Sequence, residues 1–268
     1  MNDAQPVGLY SIEVDGENVQ MNLTLNGFLL LGGPNGKFSE PTQLSDQELE
    51  RDRFIVLARG NELRAKAKFE DRKDHRGETI KISVFKSPYV IRRTSSEKPI
   101  AQMSLTMAEA KGYELTKEIK FDLPAVTSGD WEWTTYPKVI DSQETRKTLL
   151  AGYQEIWSAI EKKECAHVKK LFSDTSDIAK SLKLAGSTYE APNVLCDFIK
   201  TGQVNGESGK IGAFDPKNFE FEIFANGKLA RYVRADGHAA LWFEHEDSAT
   251  YFDVWFRQDA KRQWHVVR

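Results

Sequence analysis

Phe219-Glu220-Phe221-Glu222-Ile223-Phe224 alternates apolar with acidic residues, and the runs that follow keep that period: Leu229 to Arg234, Ala239 to His245, Thr250 to Phe256 and Trp264 to Val267. A period of two is that of an extended strand, whose successive side chains point to opposite faces. The stretch 219–268 therefore reads as five consecutive strands of an antiparallel meander. Its fourth run puts Phe252, Val254 and Phe256 on one face and Tyr251, Asp253 and Trp255 on the other. A sheet needs only one apolar face to fold. Two such faces call for a second cover: a helix layer, another domain, another chain or a ligand.

Immediately upstream the period changes to that of a helix. Asp141-Ser142-Gln143-Glu144 supplies an N-cap and the N3 glutamate of a capping box. Leu149, Leu150, Tyr153, Ile156, Trp157 and Ile160 then recur at spacings of three and four, which predicts a helix from Ser142 to Lys163 with one apolar stripe. A second helix is expected from Cys165 to Leu184, stopped by Gly186, and a third after Pro192, ended by Gly202. The polar, glycine-rich run from Gln203 to Lys217 reads as a loop leading into the sheet.

Before residue 125 helical periodicity is nearly absent. Short alternating runs are expected as strands at Tyr10 to Val14, Val19 to Leu25, Phe28 to Leu31, Phe54 to Leu57, Leu63 to Phe69, Thr79 to Phe85, Tyr89 to Arg93, Ile100 to Thr106 and Leu115 to Asp122. Asp15-Gly16 and Asn26-Gly27 are residues that tight hairpin turns select, because both turn positions take positive φ. Ser45 to Glu50 suggests one helical turn. Short strands without helices imply a β-sandwich or jelly roll. Pro124, Gly129, Trp131, Trp133 and Pro137 mark a change of composition. The chain is thus read as two domains: an all-β sandwich over 1–125, a linker over 126–139, and an α+β domain over 140–268 with three helices packed on a curved antiparallel sheet.

Three helices followed by an antiparallel meander resembles the nuclear-transport-factor-like superfamily, in which a curved sheet wraps its helices into a cone. The resemblance covers 141–268 and rests on element order and hydrophobic pattern. It implies either a pocket between helices and sheet, as in isomerases and dehydratases, or binding and dimerisation through the sheet's open face. In the N-terminal half, the segment Phe54 to Leu63 with its Gly60-Asn61 turn looks like a strand pair of jelly-roll domains.

A net charge of -3 and the lack of a basic stripe argue against an electrostatic nucleic-acid binder. Arg64, Lys66 and Lys68 read as the solvated side of a strand whose other side carries Leu63, Ala65, Ala67 and Phe69. No apolar run suits a membrane span. The two cysteines, Cys165 and Cys196, fall in predicted helices, so no disulfide dependence is expected and the chain reads as cytoplasmic. Gly32 to Lys37 and Gly206 to Lys210 lack the Ser or Thr and the strand-to-helix context of a phosphate loop. The histidines lack zinc-site spacing, and His238 and His245 are read as ends of one strand. No cofactor or metal is expected.

Two functional expectations remain. In the first, the protein is a non-catalytic binding module in which Tyr232, Trp242, Tyr251 and Trp255 engage a protein partner or a second copy of the chain; a bacterial immunity protein that neutralises a toxin is one form of this. In the second, the protein is an isomerase or dehydratase in which Asp253, desolvated on an aromatic wall, acts as general base.

Overall fold

The computed structural model describes residues 10–16, 19–38, 47–48, 55–57, 59–69, 79–86, 98–123, 131–173, 191–204 and 206–267. Its described residues form antiparallel strands in five sheets together with three α-helices. By backbone contacts the chain divides into two compact units, Met1–Trp131 and Glu132–Arg268. The strand expected at Tyr89 to Arg93, and the second helix beyond Ser173, lie outside the described residues.

The first unit holds β1 (Ser11–Asp15), β2 (Val19–Leu25), β3 (Phe28–Leu31), β4 (Gln47–Glu48), β5 (Asn61–Phe69), β6 (Thr79–Phe85), β7 (Ala101–Thr106) and β8 (Glu114–Phe121). They assemble into two four-stranded sheets, in the orders β4-β1-β6-β7 and β3-β2-β5-β8. Alternation sets the buried face of each: Ile12, Ile80, Ile82 and Leu105 in the first, and Met21, Leu23, Leu25, Leu63, Ala65 and Ala67 in the second. Each large aliphatic side chain so buried contributes about 1.5–3 kcal/mol. On the outer face of β5, Lys66 pairs with Glu114 at 3.4 Å and lies 4.5 Å over the Phe38 ring.

Asn26 and Gly27 turn β2 into β3 with φ of 51° and 77°, the positive values that select those residues. Asp15-Gly16 does a different job from the hairpin expected of it, since β1 pairs with β6 and β2 with β5 in separate sheets. Two further expectations are corrected here. Gln47–Glu48 pairs with β1 as a short strand, not a helical turn. Ile55 to Leu57 is irregular, and side-chain amides replace the missing ladder. Asn61 Nδ2 donates to Leu57 O at 2.7 Å, Leu57 N donates to Asn61 Oδ1 at 2.7 Å, and Asn26 Nδ2 donates to Ile55 O at 2.6 Å. Asn26 and Asn61 are fully buried, so these bonds meet the demand that buried polar groups be paired.

In the second unit α1 (Gln143–Glu161) begins at Ser142, whose hydroxyl accepts from Thr145 N at 3.1 Å. The cap thus falls one residue later than Asp141. That carboxylate instead grips Arg146 with two hydrogen bonds of 2.7 and 2.8 Å. Leu149, Tyr153, Ile156, Trp157 and Ile160 form the buried stripe. Short α2 (Cys165–Leu171) and α3 (Ala191–Thr201) follow. A disulfide between Cys165 and Cys196 joins them, with Cα atoms 5.0 Å apart. This overturns the expectation of a chain without a disulfide: the partners are 31 residues apart, and only the packing of the two helices brings them together.

The run read as a loop after α3 holds three short strands, β9 (Gln203–Val204), β10 (Glu207–Ser208) and β11 (Lys210–Ile211). After them come β12 (Phe219–Phe224), β13 (Leu229–Arg234), β14 (Leu241–Glu244), β15 (Ala249–Phe252), β16 (Phe256–Gln258) and β17 (Trp264–Val266). They do not form one meander. β14 and β15 join β11 in a three-stranded sheet, while β12, β13, β16 and β17 make a second sheet of four. The strand expected from Thr250 to Phe256 is therefore broken at residues 253–255, where the chain leaves one sheet for the other.

Tyr153 of α1 sits at that break. Its buried hydroxyl donates to Val254 O at 2.7 Å and accepts from Tyr232 N at 3.1 Å. Burial pushes its pKa up, so the group stays a neutral donor. Phe252, Val254 and Phe256 all join α1 in one core cluster with Tyr232, Trp242 and Phe243. Replacing Tyr153 by Phe keeps the ring and removes these bonds. The expected loss is about 2–3 kcal/mol of unfolding free energy in urea denaturation, because buried backbone groups lose their partner; an unchanged midpoint would show that the hydroxyl carries no such load.

Candidate functional site

The residues singled out for partner binding fall in three places. Trp242 and Tyr251 stand directly opposite each other on β14 and β15. Tyr232 points the other way from solvent, with its ring 5.7 Å from Tyr153 and its hydroxyl donating to Arg146 O at 2.8 Å. Trp255 is buried 5.2 Å from Phe224. The expected single exposed cluster is thus corrected: Tyr232, Trp242 and Trp255 are buried, and Tyr251 is the member that reaches solvent, at 36% exposure. The cause is the break at 253–255, which separates side chains that a continuous strand would have aligned.

Asp253 is held by Arg231, whose Nη1 donates to Asp253 Oδ1 at 2.7 Å while its Nε donates to Glu222 Oε2 at 2.6 Å. The guanidinium also lies 5.2 Å over the Phe224 ring. β12 and β13 pair Glu222 with Arg231, so both lie on the face opposite Phe221 and Tyr232, which meet α1. Burial works against the charge of Arg231, and the carboxylates of Asp253 and Glu222 outweigh it, so its pKa is raised. The arrangement makes Asp253 a structural counter-ion, not a carboxylate on the aromatic wall facing the helices.

Around Tyr251 the structure adds residues that sequence reasoning passed over. His238 stacks on the Tyr251 ring, with centroids 4.3 Å apart and planes 13° from parallel. Arg234 lies 4.3 Å over Trp242. Asp236 joins the two, accepting from Arg234 Nε at 3.0 Å and from His238 N at 3.1 Å. This hydrogen-bonding pulls the Asp236 carboxyl below its ordinary range despite the opposing effect of burial. His238 belongs to the turn before β14 and His245 follows it, so the two do not end one strand. The Asp236-Gly237 turn was a visible signal; the stacking it creates was not. The patch lies on a sheet edge, since β15 is the outer strand of β11-β14-β15. Beneath it, Gly212 leaves room for Trp242, because a Cβ there would come within 2.0 Å of the indole.

A cavity of about 700 Å³ opens elsewhere, between α1, α2 and the β16–β17 hairpin. Leu149, Gly152, Leu171, Phe256, Trp264 and Val266 supply its apolar lining, and Thr148, Glu155, His167, Lys170 and Ser173 add polar groups. Arg257 and His265 also border the cavity; they pair across β16 and β17, and Arg257 stacks over Tyr136 while His265 meets Asp259 at 3.2 Å. His167 bridges Glu164 at 3.2 Å and Glu155 at 3.0 Å, and these bonds raise its pKa. Among the described residues no group of three or more His, Cys, Asp or Glu is arranged to hold a metal ion.

No known family model, no curated protein and no solved structure matches the chain.

Replacing Asp253 by Asn leaves Arg231 with Glu222 alone among the two carboxylates. The expected result is a folded protein destabilised by about 1–2 kcal/mol, discounted from a fully buried pair because Asp253 is partly exposed. Thermal unfolding followed by circular dichroism measures it, and an unaltered melting temperature would remove Asp253 from the framework.

Proposed function

We propose that this protein is a binding module for another protein, built from an N-terminal β-sandwich and a C-terminal α+β domain, and that it binds through the patch around Tyr251. The observation that carries this reading is the pair of neighbouring stacks, Tyr251 on His238 and Arg234 on Trp242, beside an open strand edge. Tyr, Trp and Arg dominate interface energetics because they present large, preformed contact area. The stacks fix these side chains before a partner arrives, which lowers the entropy lost on binding. The immunity-protein form of the proposal makes the partner a toxin. The cytoplasmic setting expected from the sequence remains part of the proposal, with one consequence: a disulfide kept there responds to reductants, since such compartments hold thiols reduced.

The test pairs Tyr251→Ser with Arg234→Glu and keeps the core residues. Affinity capture from the native cell is expected to recover a stoichiometric protein with the wild-type chain and to lose it with the double variant, whose melting temperature stays unchanged. Self-association, read by analytical ultracentrifugation, is expected to weaken by more than about thirtyfold if the partner is a second copy, the equivalent of about 2 kcal/mol at a hot spot. Capture and association identical to wild type would reject the patch.

The cavity favours a second reading, in which a small organic anion with an apolar body lies on Phe256, Trp264 and Val266 and meets Lys170 at the rim. Its volume lies within the range of ligand sites, and the Lys170 ammonium makes no ion pair or side-chain hydrogen bond among the described residues. This moves the small-molecule site away from Asp253, and the reading assigns no chemical step. Anilinonaphthalene sulfonate is expected to bind with saturable calorimetric heat. Lys170→Glu should weaken it about tenfold, the equivalent of about 1.4 kcal/mol, and Ala151→Trp, at an exposed position of the cavity lining, should obstruct it. Indifference to both substitutions would end this reading.

A further inference from the structure

We infer that the Cys165–Cys196 bond is a redox-sensitive clasp that holds α2 in place. The chain contains two cysteines, and the structure spends both on this one link between α2 and α3. Among the described residues the other restraints on α2 are its packing against α1 and α3 and a few hydrogen bonds. Seven residues are too few for a helix to persist on its own in water. Glu164, at its N-cap, makes no side-chain capping bond, and Val168 is the one side chain of α2 buried in the core. Leu171 and Phe172 pack against that core only partly buried. Beyond the disulfide, α2 is tied to α1 by the hydrogen bond of His167 to Glu155.

The rest of the unit stands without α2. Tyr153 and Trp157 anchor α1 directly to the strands and to Gly212, through Tyr153 to Val254 O and Trp157 Nε1 to Gly212 O at 2.8 Å. Opening the clasp therefore loosens α2 locally while α1 and the sheets persist. The chemistry is thiol–disulfide exchange. A dithiol reductant attacks Sγ of half-buried Cys165, and the sulfur–sulfur bond breaks with buried Cys196 leaving as thiolate. The reductant's second thiol then displaces Cys165. The reductant ends as its own disulfide, and each cysteine takes up one proton. α2 carries His167, Lys170 and Leu171 to the cavity wall, so the same step alters that wall; this last consequence rests on the small-molecule reading.

Hydrogen exchange on the whole chain, oxidised and after treatment with dithiothreitol, tests the clasp. Peptide mapping without reductant first verifies the Cys165–Cys196 link. On reduction, the amides of Val168 and Leu171 should exchange at least about tenfold faster, while those of Tyr153 and Trp157 keep their rates. Cys196→Ser under oxidising conditions should reproduce the reduced pattern, and re-oxidation of the wild type should reverse it. Equal α2 exchange in both states, simultaneous loss of α1 protection, or free thiols in the oxidised protein overturns the inference. Anilinonaphthalene sulfonate binding, measured on the same samples, separates the two ideas: a probe that binds in neither state rejects the cavity reading, and the exchange comparison alone then decides the clasp.

Discussion

A single phenolic hydroxyl, that of Tyr153, lies where the three-stranded and four-stranded sheets of the second unit part, and the surrounding structure is arranged about it. The backbone at residues 253–255 leaves strand geometry there, which removes ladder partners from buried peptide groups. Unpaired groups of that kind cost about 1–3 kcal/mol each. Tyr153 answers from α1 by donating to Val254 O and accepting from Tyr232 N. Through that one side chain the helix becomes part of the sheets' hydrogen bonding as well as a cover for their apolar faces. Trp157, one turn on, repeats the device with its indole N–H on Gly212 O.

Once the break is in place, the charged and aromatic residues divide by face. Arg231 sits between Glu222 and Asp253 on the side of the four-stranded sheet turned from α1, where the ion pairs compensate its burial. Tyr232, Phe219 and Phe221 fill the side toward α1. Trp242 straddles the two roles: it packs edge-on to Trp157 at 5.7 Å and carries Arg234 on its own ring. The exposed patch at Tyr251 is therefore built on an aromatic core that continues through Trp242 to Trp157.

Much of the fold was legible in the chain. The helical stripe from Leu149 to Ile160, the turn at Asn26-Gly27 and the grouping of Phe252, Val254 and Phe256 on one side follow from periodicity and turn chemistry alone. The candidate site was less legible. Tyr251 and Trp242 are visible as aromatics on two successive strands, but Arg234 and His238 join them only through the turn at Asp236-Gly237. Tyr232, Trp255 and Asp253 read as part of the same surface only if the sheet is one unbroken meander, whereas Tyr232 lies on β13 of the four-stranded sheet and Asp253 and Trp255 lie in the break. Aromatic side chains look the same in sequence whether they form a core or an interface, so composition did not separate the two.

The sequence by itself determined the apolar stripe of α1, the turn at Asn26-Gly27 and most of the longer strands, because those properties depend on the chemistry of neighbours one to four positions apart. Tertiary structure decided which strands pair: β1 with β6 and not with β2 across Asp15-Gly16, and β16 with β13 and β17 after a break. Backbone hydrogen bonds are the same for every residue but proline, so the side-chain pattern states a face without stating a neighbour. The Cys165–Cys196 link and the Arg231 ion pairs belong to that second class, since they join residues whose proximity exists only after the core has closed.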